Sequence, residues 1–207
     1  MTAYQNWFSD FPKRSNGVLR VLRTAGGKQV WREKNVTILL MVACSGFVVS
    51  LERLDDERAS EIGPENALEA KRIRAVMNLD SPLFSKSEYV RNIACWKMGY
   101  LESISSEPDE WPVVHNQSEL AESFSVKHVL EKVLRNALAH GTVWATPAMP
   151  NATISELLFV SRRNWRNPSE GYDYVSVTID EFDHFLSIWL TKISGVGGNV
   201  IRLAVAA

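Results

Sequence analysis

The sequence has few cysteines and no recognisable targeting segment, and both shortages limit the class of protein. Two cysteines in 207 residues are too few for a disulfide scaffold, and no cysteine and histidine spacing typical of a metal site occurs. Cys44 and Cys95 lie in apolar stretches, which favours free, buried thiols. The N-terminus lacks the basic start and apolar stretch of a signal peptide. We therefore expect a cytoplasmic protein with no metal and no cofactor.

The chain also lacks an excess of positive charge, since 23 lysines and arginines face 24 aspartates and glutamates. This balance argues against a general polyanion-coating protein, because such proteins are strongly basic. The charge is nevertheless uneven. Seven basic residues face two acidic ones before residue 35, seven acids face two arginines over 52–69, and six acids face no basic residue over 102–122. One interpretation is that all three segments are solvated, charged faces of the protein. The alternative is that the basic segment is an arm that contacts phosphates, while the acidic segments repel phosphates elsewhere on the surface.

Residues 35–51 contain no charge but fall short of the roughly 20 apolar residues that span a bilayer. A helix that is apolar on nearly every side is more typical of the centre of a helical bundle. We therefore predict no membrane segment, with a membrane anchor here as the alternative.

Apolar periodicity predicts a mainly α fold. Helices are expected from about 31 to 54, after Pro64, over 85–104 with a capping box of Ser85 and Glu88, and from between 118 and 125 to His140. The β-rich segments that follow predict a small hairpin at about 154–179, and Thr178 with Glu181 then caps a last helix. The expected organisation is a basic, mostly irregular segment over 1–30, a helical domain over 31–194, and a tail over 195–207.

The stretch LRNALAHG places three polar residues at the end of the fourth helix. Asn136 and His140 are four positions apart, so they share a helix face, and an asparagine there can orient an imidazole. His140 lies in the last turn before Gly141, where the helix dipole favours a protonated imidazole suited to acid–base chemistry. Arg135 carries a planar fork that fits phosphate. The alternative is structural: a histidine before a terminating glycine is common, and Arg135 has Glu131 four residues back.

The heptapeptide RNALAHG resembles the signature of the HEPN superfamily, in which an arginine and a polar residue precede a histidine. The match covers about residues 126–162 and is similar in particular to a branch of small plasmid- and phage-associated bacterial proteins, where a segment like ISELLFVSR follows. The resemblance implies a HEPN-like helical bundle with a small β-hairpin after the motif helix.

The resemblance also implies a metal-independent endoribonuclease that works as a homodimer, with the motifs of two subunits facing a shared cleft. His140 would handle the proton of the RNA 2′-hydroxyl or of the leaving oxygen, Arg135 would hold the scissile phosphate, and Asn136 would position the histidine. Residues five apart on an ideal helix point about 140° apart. Either the arginine stem swings round, or the partner subunit supplies the missing half.

Further residues are candidates for RNA contact. Arg162, Arg163 and Arg166 flank Trp165, a combination that can hold phosphates and stack a base, although a solvated hairpin loop has the same composition. His128, seven residues before Arg135, is either an accessory residue of the cleft or a surface histidine.

Two functions remain open at this point. The first is a toxin or anti-phage endoribonuclease with an RNA substrate, controlled by an antitoxin or another regulatory protein. The alternative is a non-catalytic HEPN-like module that binds RNA, a nucleotide or a protein.

Overall fold

The computed structural model describes residues 7–24, 28–48, 51, 64–77, 88–104, 119–120, 125–147, 154–164 and 166–204. The helices are α1 (Trp7–Thr24), α2 (Lys28–Ala43), α3 (Pro64–Met77), α4 (Arg135–His140) and α5 (Ile179–Ala204), and π-helical turns follow α2 at Cys44–Val48 and precede α4 at His128–Leu134. The strands are β1 (Trp96–Leu101), β2 (Glu119–Leu120), β3 (Val143–Pro147), β4 (Ile154–Arg162) and β5 (Tyr172–Thr178).

The chain divides into two compact units. One comprises Met1–Leu79 with Phe185–Ala207, and the other comprises Asp80–His184. The single helical domain expected over 31–194 remains a prediction. The mainly helical class, in contrast, agrees with the helices that the structure describes.

Helices build the first of these units. Its core includes Leu39, Phe47 and Trp189, which are almost fully buried. The rings of Phe47 and Trp189 meet edge to face, with centroids 4.9 Å apart. Such aromatic packing adds about 0.5–1.5 kcal/mol beyond the burial of apolar area.

The N-terminal segment differs from its prediction. Residues Trp7–Thr24 form α1, whereas a mostly irregular segment was expected over 1–30. Pro12, Ser15 and Leu19 are buried at helical spacing, so packing of this stripe outweighs the helix-breaking tendencies of proline and glycine. At the other end, α5 continues to Ala204, so the segment predicted as a tail is helical over most of its length.

The second unit is organised around a five-stranded antiparallel sheet in the order β2-β1-β5-β4-β3. The predicted hairpin is confirmed as β4 and β5, which pair from Glu156–Thr178 to Arg162–Tyr172. It forms the centre of a sheet that is larger than the hairpin alone.

The prediction of a helix over 85–104 is wrong for residues 88–104, which are the part of this range that the structure describes. Residues Trp96–Leu101 form β1, which pairs with β5 along its whole length. Trp96 and Met98 are buried and alternate with the exposed Lys97. Pairing with a distant strand therefore overrides the helical spacing of the apolar residues, as tertiary context often does.

One face of this sheet carries three successive rows of paired side chains. Two rows are apolar in β1, β5 and β4: Trp96, Val177 and Leu157 form one, and Met98, Val175 and Phe159 form the next. The third row is Tyr100, Asp173 and Ser161, which we call the polar row.

In the described part of the chain, no helix is both long enough and apolar enough to cross a bilayer. The charge-free stretch instead runs through α2 into the π-helical turn, where Gly46 and Phe47 are buried. Cys44 and Cys95 are free thiols, but the expectation of burial is wrong for Cys44, which is exposed.

Candidate functional site

The motif helix, comprising the π-helical segment His128–Leu134 and α4, packs against β4 and β5. Its apolar stripe is fully buried at Val129, Leu130, Val133 and Leu134, as the sequence predicts. The backbone N–H of Arg135 bonds the carbonyl of Leu130, five residues back. Such π turns within helices occur frequently at functional sites.

The helix ends as the sequence predicts. Gly141 adopts the left-handed conformation with φ 70° and ψ 21°, and its N–H bonds the carbonyl of Ala137. The next residue, Thr142, donates its backbone N–H to the same carbonyl at 2.9 Å and its hydroxyl to the carbonyl of Val160 at 2.6 Å. The tip that carries the exposed His140 is therefore held against β4.

The guanidinium of Arg135 is oriented by the next residue. Its Nε and Nη2 groups donate to Oδ1 of Asn136 at 3.2 and 2.9 Å. The amide of Asn136 in turn donates to the carbonyl of Lys132 at 2.9 Å and to Oγ of Ser161 at 3.2 Å. Ser161 is buried, so the amide that holds the arginine is itself tied to the sheet.

The hydrogen bonds of Asn136 bear on the role expected for this residue. The resemblance implies that it positions His140, but both ends of its amide are used by Arg135, Lys132 and Ser161. Helical side chains lean toward the N-terminus, so Asn136 reaches back along the helix, away from the tip. In this structure Asn136 orients Arg135, and its positioning of His140 stays a prediction.

The polar row brings two further candidates to the motif helix. Asp173 is only 17% exposed and bonds Nε of Arg163 through Oδ1 at 2.6 Å. Its Oδ2 lies 4.0 Å from Nε2 of His128. The guanidinium of Arg163 also stacks over the ring of Tyr100, with its carbon 4.3 Å from the ring centroid.

The remaining candidates lie elsewhere. Arg162 pairs with Tyr172 in the register and stands on the face opposite the polar row, with its guanidinium carbon 5.9 Å from that ring's centroid. Arg166 is exposed in the loop between β4 and β5, where its backbone N–H bonds Oδ1 of Asn164. Trp165 lies outside the described residues.

Sequence reasoning missed Asp173 and Ser161, although a signal existed for both. Strand alternation puts Asp173 on the same side as Val175 and Val177, and Ser161 on the same side as Phe159. A charged residue on a face that is otherwise apolar needs a partner. The missing information was the identity of that partner.

A second carboxylate braces the chain that leads into β1. Glu181, in the first turn of α5, accepts the backbone N–H of Arg91 at 3.1 Å and of Asn92 at 3.3 Å. Burial raises the pKa of this carboxyl, but N–H donation from Asn92, Arg91 and Trp96 outweighs it and holds the pKa below its ordinary value. The carboxylate is therefore ionised and fixes the entry to the strand that carries Tyr100.

Within the part of the chain that the structure describes, no three histidine, cysteine, aspartate or glutamate side chains are grouped to hold a metal ion. The arrangement offers instead an anchored guanidinium, an exposed imidazole and a carboxylate linked to a second arginine. These groups can bind a phosphodiester and move a proton.

Comparison with known proteins gives one family match. The family model described as HEPN pEK499 p136 matches residues 1–195 of the chain. No curated protein and no solved structure gives a significant match.

Proposed function

This chain belongs to the HEPN pEK499 p136 family, and we propose that it is a metal-independent endoribonuclease with an active site shared by two subunits. The proposal includes an RNA substrate, a cytoplasmic location and a homodimer. The observation that carries it is the anchored guanidinium of Arg135 on the helix whose exposed tip bears His140.

The proposed chemistry is attack by the ribose 2′-hydroxyl on the adjacent phosphorus. The O2′–P bond forms, the P–O5′ bond breaks, and the proton of the hydroxyl passes through imidazole to the leaving O5′. His140 would carry that proton, and Arg135 would stabilise the charge that develops on the phosphoryl oxygens. The products are a 2′,3′-cyclic phosphate and a 5′-hydroxyl.

Helix geometry supports the shared site. Arg135 and His140 are the first and last residues of α4, and on an α-helix such positions point about 140° apart. Asn136 also holds the arginine toward Lys132 and the sheet. A second subunit would supply the complementary half, so that the arginine of one chain works with the histidine of the other.

The first experiment incubates purified protein with total RNA in the presence of a chelator. We expect cleavage that leaves 2′,3′-cyclic phosphate ends and is lost in His140→Ala and Arg135→Ala. His184, whose Nε2 lies 3.2 Å from the carbonyl of Glu88, supplies a matched control, and His184→Ala should retain activity. Intact RNA with measurable binding would favour the non-catalytic module instead.

The second experiment tests the shared site directly. Mixing the Arg135→Ala and His140→Ala proteins under conditions of subunit exchange creates heterodimers in which one site has both wild-type residues. We expect the inactive proteins to regain roughly half of the wild-type rate per heterodimer, because one of the two sites is then complete. If the mixture stays inactive while each variant dimerises, the shared-site proposal is wrong.

The biological setting is a further part of the proposal. An endoribonuclease of this kind would harm its host, so we propose a toxin or anti-phage effector restrained by an antitoxin or a trigger. Growth arrest on expression of the wild-type chain, relieved by His140→Ala, is the expected result. Normal growth with active enzyme in the extract would contradict this role.

A further inference from the structure

The guanidinium of Arg163 is oriented by two described contacts. Nε is bonded to Asp173 at 2.6 Å, and one face of the group lies over Tyr100 at 4.3 Å. The side chain is nevertheless 48% exposed. Its bond to Asp173 uses Nε only, and no described residue bonds the two terminal nitrogens.

We propose that Arg163 is a preorganised clamp for a backbone phosphate of the RNA, next to the phosphate held at Arg135. A guanidinium binds phosphate best through two parallel N–H groups, and a group already fixed in place loses less entropy on binding. The carboxylate of Asp173 and the ring of Tyr100 hold the guanidinium in place. This inference rests on the proposed function for its ligand, since it names a second contact of the same substrate.

The polar row places this clamp beside the motif. Ser161 and Asp173 are paired residues on adjacent strands, which lie about 4.8 Å apart. Asn136, which holds Arg135, is bonded to the first, and Arg163 is bonded to the second. The residues that hold the two arginines are therefore tied to adjacent members of the polar row.

His128 adds a connection between this clamp and the motif helix. Its Nε2 lies 4.0 Å from the second oxygen of Asp173, whose first oxygen holds Arg163. One carboxylate therefore contacts both the start of the motif helix and the clamp. Asp173 therefore lies between Arg163 and the start of the helix that bears Arg135.

The other two arginines are placed differently. Arg162 stands on the opposite face of the sheet. Arg166 is exposed, and its hydrogen bond within the loop is made by the backbone, from its N–H to Oδ1 of Asn164 at 2.9 Å. Arg166 is therefore a matched control for Arg163, with the same charge and a close position in the chain.

The test uses the full-length protein and a single-stranded 2′-O-methyl RNA oligonucleotide, which cannot be cleaved by 2′-hydroxyl attack. Affinity is measured between about 50 and 300 mM salt. Affinity for RNA falls with salt over this range, because binding releases counterions from the phosphates. Arg163→Gln should weaken binding about tenfold and lower the slope of log K against log salt by about 0.7, the value for one phosphate contact on a single strand. Arg166→Gln should change affinity less than about twofold.

Two conservative variants separate orientation from charge. Arg163→Lys keeps the charge, so the salt slope should stay near wild type while affinity falls several-fold. Tyr100→Phe keeps the ring and should bind as wild type, whereas Tyr100→Leu should weaken binding. Thermal unfolding of each variant confirms that the fold is retained, and the lysine variant provides the test if the glutamine variant does not fold.

The possible outcomes distinguish this inference from the proposed function. Equal losses in Arg163→Gln and Arg166→Gln, or no binding of the oligonucleotide by the wild type, would overturn the clamp. The expected binding pattern without cleavage of ordinary RNA would support the clamp and reject the nuclease. Cleavage that depends on His140 but is unaffected by Arg163→Gln would support the nuclease and reject the clamp.

Discussion

Asn136 donates its side-chain N–H to the hydroxyl oxygen of Ser161 at 3.2 Å, so the motif helix and β4 are joined at the residue that orients Arg135. A change in Asn136 therefore affects the guanidinium directly, whereas a change in Ser161 affects it through Asn136. This difference makes the two positions useful for separating anchoring from folding.

Asn136→Ala should lower the rate of RNA cleavage by about tenfold or more. The reason is that hydrogen bonds to a charged group contribute about 1.5–3 kcal/mol, and about 1.4 kcal/mol corresponds to a factor of ten in rate. Ser161→Ala should have a smaller effect, because the contact with Arg135 remains. Single-turnover rates measure both, with the exposed Asn167→Ala as the control. A lower melting temperature with an unchanged rate would mean that the amide serves the fold alone.

Glu181→Gln should lower the free energy of unfolding by about 2 kcal/mol at pH 7, because a charged acceptor of several N–H groups is lost. The lowered pKa of Glu181 sets the sign of the pH dependence. The carboxylate stabilises the fold above the unfolded-state value of about 4.3, and this contribution disappears as the pH falls through the lower folded-state value.

The difference between wild type and Glu181→Gln should therefore shrink below about pH 4. Urea unfolding at several pH values measures it, with the exposed Glu102→Gln as the control. A difference that stays constant down to pH 3 would contradict the ionised carboxylate.

Tyr174→Phe should stabilise the protein by about 1 kcal/mol. The ring is 1% exposed, and within the described part of the chain the hydroxyl has no hydrogen-bond partner. Burial raises the pKa of this phenol, in keeping with an apolar setting against Leu158 and Val160. Urea unfolding tests the effect, with the half-buried Tyr172→Phe for comparison. Destabilisation by Tyr174→Phe would show that the hydroxyl makes a favourable contact.

Two glycines with positive φ should respond differently to alanine. Gly141 has φ 70° with nothing within 4 Å of an added Cβ, so Gly141→Ala should cost only the strain of about 1–2 kcal/mol. Gly171 has φ 75°, and an added Cβ would lie 2.6 Å from the carbonyl oxygen of Leu101 and against the Tyr100 hydroxyl. Gly171→Ala should therefore cost more.

Thermal and urea unfolding of the two variants measure this order. Gly141→Asn should recover part of the loss, because asparagine tolerates the left-handed region. Gly17→Ala, in the exposed face of α1 with open space around it, should instead be neutral or stabilising. Equal costs at Gly141 and Gly171 would show that the neighbours of Gly171 move aside easily.

Several elements could be predicted because their determinants are local. The helix that begins at Pro64, the termination at Gly141 and the pairing of β4 with β5 each follow from residues close together in the chain. The apolar stripe along the motif helix could also be predicted from the sequence, and so could the types of the residues at the end of that helix.

Other elements could not be predicted because their determinants are distant. Trp96–Leu101 forms a strand because it pairs with β5, which lies more than seventy positions later in the chain. No feature of the segment itself identifies that partner. The hydrogen bonds of Asn136 show the same limit. The orientation in which its amide contacts Arg135 depends partly on a hydrogen bond to Ser161, and the hydroxyl of Ser161 comes close to the helix because β4 packs against it.

The sequence by itself determined where the motif helix ends and which chemical groups its last turns carry, because helix termination and side-chain spacing depend on a few neighbouring residues. The tertiary structure decided which partner each group has: Asn136 for Arg135, Asp173 for Arg163 and His128, and Glu181 for the chain before β1. The physical reason is that a buried polar group takes the partner that packing brings within hydrogen-bond distance, and packing is settled by contacts between distant parts of the chain.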